Sequence, residues 1–259
     1  MVAAISTGQW VLLIAAAFAA GGIDSIVGGG GLLQIPALLL TLSGQPTATL
    51  LGTNKLAAVW GTGSAAVVYN RKVKVDRREM LQMAALAGVA SLVGAMIASR
   101  LSTAALKPMV VAALAIVFVY VWRKPTLGAI TEERLSTAAR RRVVIGGGVG
   151  IGFYDGLIGP GTGSFLVLLL VGVIGLAFLE ANAVAKVVNT ATNLGAIAWF
   201  ASHGHVLFGL GLAMGAANFV GSQIGARLAI AKGSLWVRRV FLIVVVALLA
   251  RLLYDIAAN

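Results

Sequence analysis

The feature that most constrains this chain is a succession of apolar runs separated by short polar breaks. They lie approximately at 8–22, 30–43, 46–69, 79–99, 107–122, 143–157, 163–179, 182–201, 207–228 and 239–256. A run of about 20 apolar residues, wound as a helix, matches the hydrocarbon thickness of a bilayer. Composition agrees: of 259 residues, 59% are hydrophobic and 11% charged. Soluble domains carry about 25% charged residues, so this chain has too few to coat a soluble surface. It reads as an all-α integral membrane protein with about eight to ten transmembrane or re-entrant helices. The runs 8–22 with 30–43, and 143–157 with 163–179, are short pairs meeting at Gly-rich breaks. They read as half-helices or re-entrant hairpins.

The net charge of +12 could suggest a nucleic-acid partner, but the basic residues sit in short loops between apolar runs. Arg71, Lys72, Lys74, Arg77 and Arg78 share one turn. Arg123, Lys124, Arg134, Arg140, Arg141 and Arg142 share a central linker, and Arg227, Lys232, Arg238 and Arg239 lie near the C-terminus. This is the distribution of the positive-inside rule. Nucleic-acid binding needs a contiguous basic face with stacking aromatics, which these loops do not offer. The turns at 70–78 and 229–238 and the linker are expected in the cytoplasm. The loop Ser202–Val206 lacks Lys and Arg and is expected outside, which places both termini outside. Met1–Trp10 has no basic n-region, so no cleavable signal is expected. Most tryptophans fall near run ends, as an interfacial belt would have them.

The linker 123–142 divides the chain into a first transmembrane repeat (1–122) and a second (143–259). Gly22-Ile23-Asp24-Ser25-Ile26-Val27-Gly28 aligns with Phe153-Tyr154-Asp155-Gly156-Leu157-Ile158-Gly159 at an offset of 131, which also places Lys55 on Lys186. Gly94–Leu101 aligns with Gly221–Leu228 at an offset of 127, implying a net deletion of four residues between. The basic turn 70–78 and the uncharged loop 202–206 occupy the same place in each half. The halves are therefore expected to have opposite orientations, the inverted-repeat plan of many secondary transporters, with a site near the midplane.

An ionisable residue at membrane depth is costly unless paired or hydrated, so it marks a site. Lys55 lies inside 46–69, after Thr53 and Asn54. Lys186 lies inside 182–201, with Asn189, Thr190 and Asn193 on the same helical face. Such a polar stripe must face the bundle interior. Two matched lysines suit an anionic ligand. The competing readings are structural pairing, of Lys55 with Asp155 or Asp24 and of Lys186 with the other, and snorkelling of one lysine to the interface. Asp24 and Asp155 each precede a break. They read either as caps of the broken backbone or as proton- or cation-coupling groups. Gly29, Gly30 and Gly161 would expose backbone N–H groups to an anion at half-helix N-termini. No Gly-Lys-Ser/Thr follows the glycines, so they are not a nucleotide loop.

Gly21 to Gly31, Pro36-Ala37-Leu38-Leu39, Pro46-Thr47-Ala48, Gly52-Thr53-Asn54-Lys55 and Tyr69–Asp76, followed by Asp155 to Gly163 and Ala185–Asn193, resemble the TauE/SafE sulfite-exporter (TSUP) family along nearly the whole chain. The resemblance implies an inner-membrane permease exporting a small sulfur-containing or organic anion such as sulfite, thiosulfate or a sulfonate. Its substrate site would hold Lys55, Lys186, Thr53, Asn54, Asn189, Thr190, Asn193, Gly29, Gly30 and Gly161, with Asp24 and Asp155 as coupling candidates. It implies neither cofactor nor catalytic chemistry nor metal. The partners are an anion and the bilayer, with a homodimer left open. With no Cys, a thiol relay is absent. The rivals are a cation or metal-ion permease built on the two Asp residues, and a membrane phosphatase. The latter would need clustered carboxylates with Ser, His or Arg near the break; Asp24-Ser25 is present, but His203 and His205 fall in an outer loop.

Overall fold

The computed structural model describes residues 5–100, 135–240 and 242–243. The expected span 107–122 and most of the linker and of the span 239–256 lie outside them. Among the described residues the regular structure is helical throughout. The first half comprises α1 (Thr7–Val27), α2 (Gly31–Thr41), α3 (Thr47–Lys72) and α4 (Arg77–Ala98). The second comprises α5 (Thr137–Leu157), α6 (Thr162–Leu169, prolonged by a π-helical turn over Leu170–Ile174), α7 (Phe178–Ser202) and α8 (Phe208–Lys232).

Local chemistry sets these boundaries. Ser6 and Gln9 form a capping box that opens α1, satisfying N–H groups that the helix itself leaves unpaired. Asp76 accepts from the N–H groups of Arg78 and Glu79 at the start of α4. Ser136 caps α5, so Arg140–Arg142 belong to its first turns rather than to a loop. Arg71 and Lys72 close α3, where positive charge offsets the helix dipole. The sharp breaks rest on glycine. Gly28 after α1 and Gly161 before α6 have φ of 83° and 82°, a region that side chains with a Cβ rarely adopt.

α1 and α5 have 21 residues each, longer than the runs read from the sequence. α1 runs past 22 through Asp24 to Val27, because Lys186 absorbs that carboxylate, whereas α5 ends at Leu157 as expected and gains its extra length at its start, Thr137. α2 remains short, at 11 residues. α1 and α4 are each long and apolar enough to cross a membrane.

The packing partners repeat between the halves. α4 lies against α5 as α8 lies against α1, α4 against α7 as α8 against α3, and α3 packs on α7. His205 in the loop after α7 packs on Gly52 near the start of α3. Lys74, after the end of α3, and Glu180, near the start of α7, line one cavity. α3 and α7 therefore run antiparallel. Polarity is arranged inside out. Lys55, Lys186, Asn193 and Asp155 are buried, whereas Val11, Phe18, Val89, Leu194, Phe219 and Ile224 are exposed among the described residues. That distribution suits a hydrocarbon solvent and would be unfavourable in water.

Candidate functional site: paired charges at crossed helix breaks

The two breaks meet at the centre. Ser164 N donates to Gly28 O at 3.1 Å, and Ser164 Oγ to Val27 O at 3.1 Å. The backbones of Gly28 and Gly163 touch, with no room for a side chain at either position. Tyr69 Oη donates to Ser25 O at 2.8 Å, and Tyr154 Oη to Pro160 O at 2.6 Å. Each tyrosine thus ties down carbonyl oxygens next to a break, which would otherwise be unsatisfied in a dry interior.

Four charges flank this crossing. Lys55 Nζ lies 2.7 Å from Asp155 Oδ2, the side chains 3% and 2% exposed. Lys186 Nζ lies 2.8 Å from Asp24 Oδ2, at 0% and 14%. Each lysine comes from one half and its carboxylate from the other. The pairing of Lys55 with Asp155 and of Lys186 with Asp24, one of the competing readings of the sequence, therefore describes the geometry. The formal charges of the quartet cancel. Lys186 also donates to the Asp24 main-chain oxygen, and Asp24 Oδ1 accepts from Gly30 N at 3.2 Å. Asp24 is thus both the cap of the broken backbone and an ion-pair partner.

Beside the quartet lies a small cavity of about 30 Å³, room for about two waters. Of the residues expected at the site, Lys55, Asn54, Asn189 and Asn193 line it, as do Asp24, Asp155, Gly30 and Gly161. The others do not. Lys186 is fully buried behind Asp24. Thr53 Oγ1 donates to Thr49 O at 2.7 Å and accepts from Leu207 N at 3.0 Å. Thr190 Oγ1 turns back to Lys186 O at 2.7 Å, and Gly29 is not one of the lining residues, although Gly28 and Gly30 are. A hydroxyl in a helix readily bonds its own preceding turn, so sharing a face with Lys186 did not place Thr190 in the cavity. Gln34, Thr62, Gly159 and Asn218 line it as well. Gln34 and Asn218 have no polar counterpart at the 131 offset, so the repeat gave no signal for them.

Equivalent positions meet or mirror each other. Asn193 Nδ2 donates to Thr62 Oγ1 at 3.4 Å, and these residues are 131 apart. Ser91 Oγ donates to Thr192 O at 2.8 Å and Ser222 Oγ to Gly61 O at 2.6 Å, two bonds related by the same offset. The contacts of α4 and α8 thus keep the 131 offset rather than the 127 read from the sequence. A four-residue slip presents almost the same helical face, so the small-residue pattern alone does not separate the registers.

The description "Sulfite exporter TauE/SafE" matches residues 13–252. The chain is 40% identical over 243 residues to a probable membrane transporter protein, ORF9, of a Sinorhizobium species, covering 94% of this chain and 92% of that one. It is 35% identical over 245 residues to a probable membrane transporter protein of Haemophilus influenzae, covering 94% of each. It is likewise 35% identical over 244 residues to YfcA of Escherichia coli K12, also named a probable membrane transporter protein, covering 94% and 89%. No solved structure matches the chain. With buried charges at crossed helix breaks, an apolar exterior and these relatives, the chain is a membrane transporter protein that belongs to the sulfite exporter TauE/SafE family.

Proposed function

We propose that the protein is a multi-pass inner-membrane secondary transporter that exports a small oxyanion, such as sulfite, thiosulfate or a sulfonate, by alternating access. The observation that carries this reading is Lys55. It is a buried cation lining a central cavity together with Asn54, Asn189, Asn193 and the glycine breaks. The cavity is far below the ~300 Å³ of ordinary ligand pockets, so a ligand would enter only as the bundle opens. Because the quartet is neutral, an anion must displace Asp155 from Lys55 or arrive with a proton on a carboxylate. Asp24 and Asp155 are the coupling groups of this scheme. A cation permease is less well supported, because each of these carboxylates already holds a lysine.

Two inverted repeats are part of the proposal. They are supported by the antiparallel α3 and α7, the mirrored helix packing and the paired hydrogen bonds. Alternating access is supported by an asymmetry between equivalent regions. Beside the turn after α3 lies a cavity of about 330 Å³, bordered by Asp76, Glu79, Met83, Val144 and Leu170. The residues 131 positions away, Leu207, Leu210, Met214, Leu13 and Leu39, pack together as a hydrophobic cluster. The basic turn supports an open side facing the cytoplasm, by the positive-inside rule, with both termini outside in this reading.

The test is anion flux in inside-out vesicles or proteoliposomes. Lys55→Ala is expected to abolish flux. Lys186→Ala is expected to reduce it severely by freeing the Asp24 break. Wild-type rates in both variants would sink the site assignment.

A further inference from the structure

Gln34 opens the second turn of α2, and its side chain is 1% exposed. Its Oε1 accepts from Asn218 Nδ2 of α8 at 2.8 Å, while its Nε2 has no hydrogen-bond partner among the described residues. Both residues line the central cavity with Lys55. A buried N–H donor without a protein acceptor is unfavourable, so this one is open to an acceptor inside the cavity it lines. The positions 131 residues away are Phe165 and Ala87. Phe165 packs edge-on against Tyr154 with ring centroids 5.2 Å apart. The amide pair is therefore not part of the duplicated scaffold. It adds two amides to the cavity wall at positions whose counterparts, Phe165 and Ala87, are apolar and do not line the cavity.

We infer that Gln34 and Asn218 form the anion-selecting wall of this cavity, with Gln34 Nε2 donating to an oxygen of the bound oxyanion and Asn218 holding the amide in place. The inference rests on the anion-transport reading and deepens it. Lys55 supplies charge to any anion, but the surrounding carboxylates cancel that charge. Discrimination then falls to neutral donors of fixed direction, which favour a ligand with several acceptor oxygens over a spherical halide. A site built to hydrogen-bond a ligand rejects an analogue that leaves its donors unpaired.

The experiment measures uptake by the full chain in proteoliposomes, with sulfite, thiosulfate, sulfoacetate, acetate and chloride as probes. Gln34→Glu is nearly isosteric and keeps the acceptor that Asn218 needs, but replaces the free donor with a carboxylate oxygen. It is expected to raise KM for the transported oxyanion by about tenfold or more, as loss of a hydrogen bond to a charged group would. The matched apolar pair Gln34→Leu with Asn218→Leu covers the case in which Gln34→Glu does not fold. It is expected to narrow the preference for oxyanion over chloride. Wild-type KM and selectivity in these variants would overturn the inference and leave the transporter reading standing. A wild-type protein that moves none of the oxyanions would overturn both.

Discussion

At the scale of the residue, the buried Lys–Asp pairs are the strongest commitment in this chain. Each places two charges in a largely buried interior, which is tolerable only when both partners are present. Lys55→Ala leaves Asp155 buried and unpaired and is expected to destabilise the protein by about 3–5 kcal/mol. Lys55→Ala with Asp155→Ala should recover most of that stability while transport stays lost. Unfolding in detergent, followed by tryptophan fluorescence, measures the first effect. A double variant no more stable than the single would show that the pair is not coupled. The sequence made Lys55, Lys186, Asp24 and Asp155 legible, because charged residues inside apolar runs announce themselves. It did not announce Gln34 or Asn218. A neutral amide raises no alarm in an apolar helix, and only its position against Lys55 across the bundle gives it meaning.

At the scale of the element, the loop after α7 is held on α3 by two features that the other half lacks. Gly52 gives room for the carbonyl oxygen of His205, and a Cβ there would collide with it. Thr53 Oγ1 accepts from Leu207 N at 3.0 Å. The equivalent positions are Ala183 and Val184, which offer neither the space nor the acceptor. Gly52→Ala is expected to lift the loop. Thr53→Val is expected to cost about 1 kcal/mol, the net worth of one hydrogen bond. Hydrogen exchange at Leu207 reads both, with faster exchange expected in each variant. Unchanged protection would mean that the loop is held elsewhere. Helix identity was legible from apolar periods and caps. The end of α1 was not, because Asp24 looks like a helix stop until its lysine is seen across the bundle, nor was the start of α5, because Arg140–Arg142 read as linker.

At the scale of the whole molecule, the neutral quartet makes a prediction about coupling. If a proton on Asp24 or Asp155 releases a lysine for the anion, an inward proton gradient should drive uptake of thiosulfate into proteoliposomes. In Asp24→Asn, which mimics the protonated carboxyl, the downhill exchange that remains should no longer respond to the gradient. Flux indifferent to the gradient in the wild-type protein would point to uniport or exchange instead. The architecture also accounts for the unequal halves. Similar helices pack in mirrored contacts, yet a cavity with charged residues on one side answers a packed leucine and methionine cluster on the other.

The sequence alone determined the solvent, the helical class and the four central charges. Burying a charge in hydrocarbon is so unfavourable that composition and periodicity record where it happens. Tertiary structure decided which lysine meets which aspartate, which polar side chains line the cavity, and the register of α4 against α8. Those depend on helices that pack at separations of a hundred residues or more. A one-turn slip or an inward-turned hydroxyl leaves the linear pattern of residues unchanged.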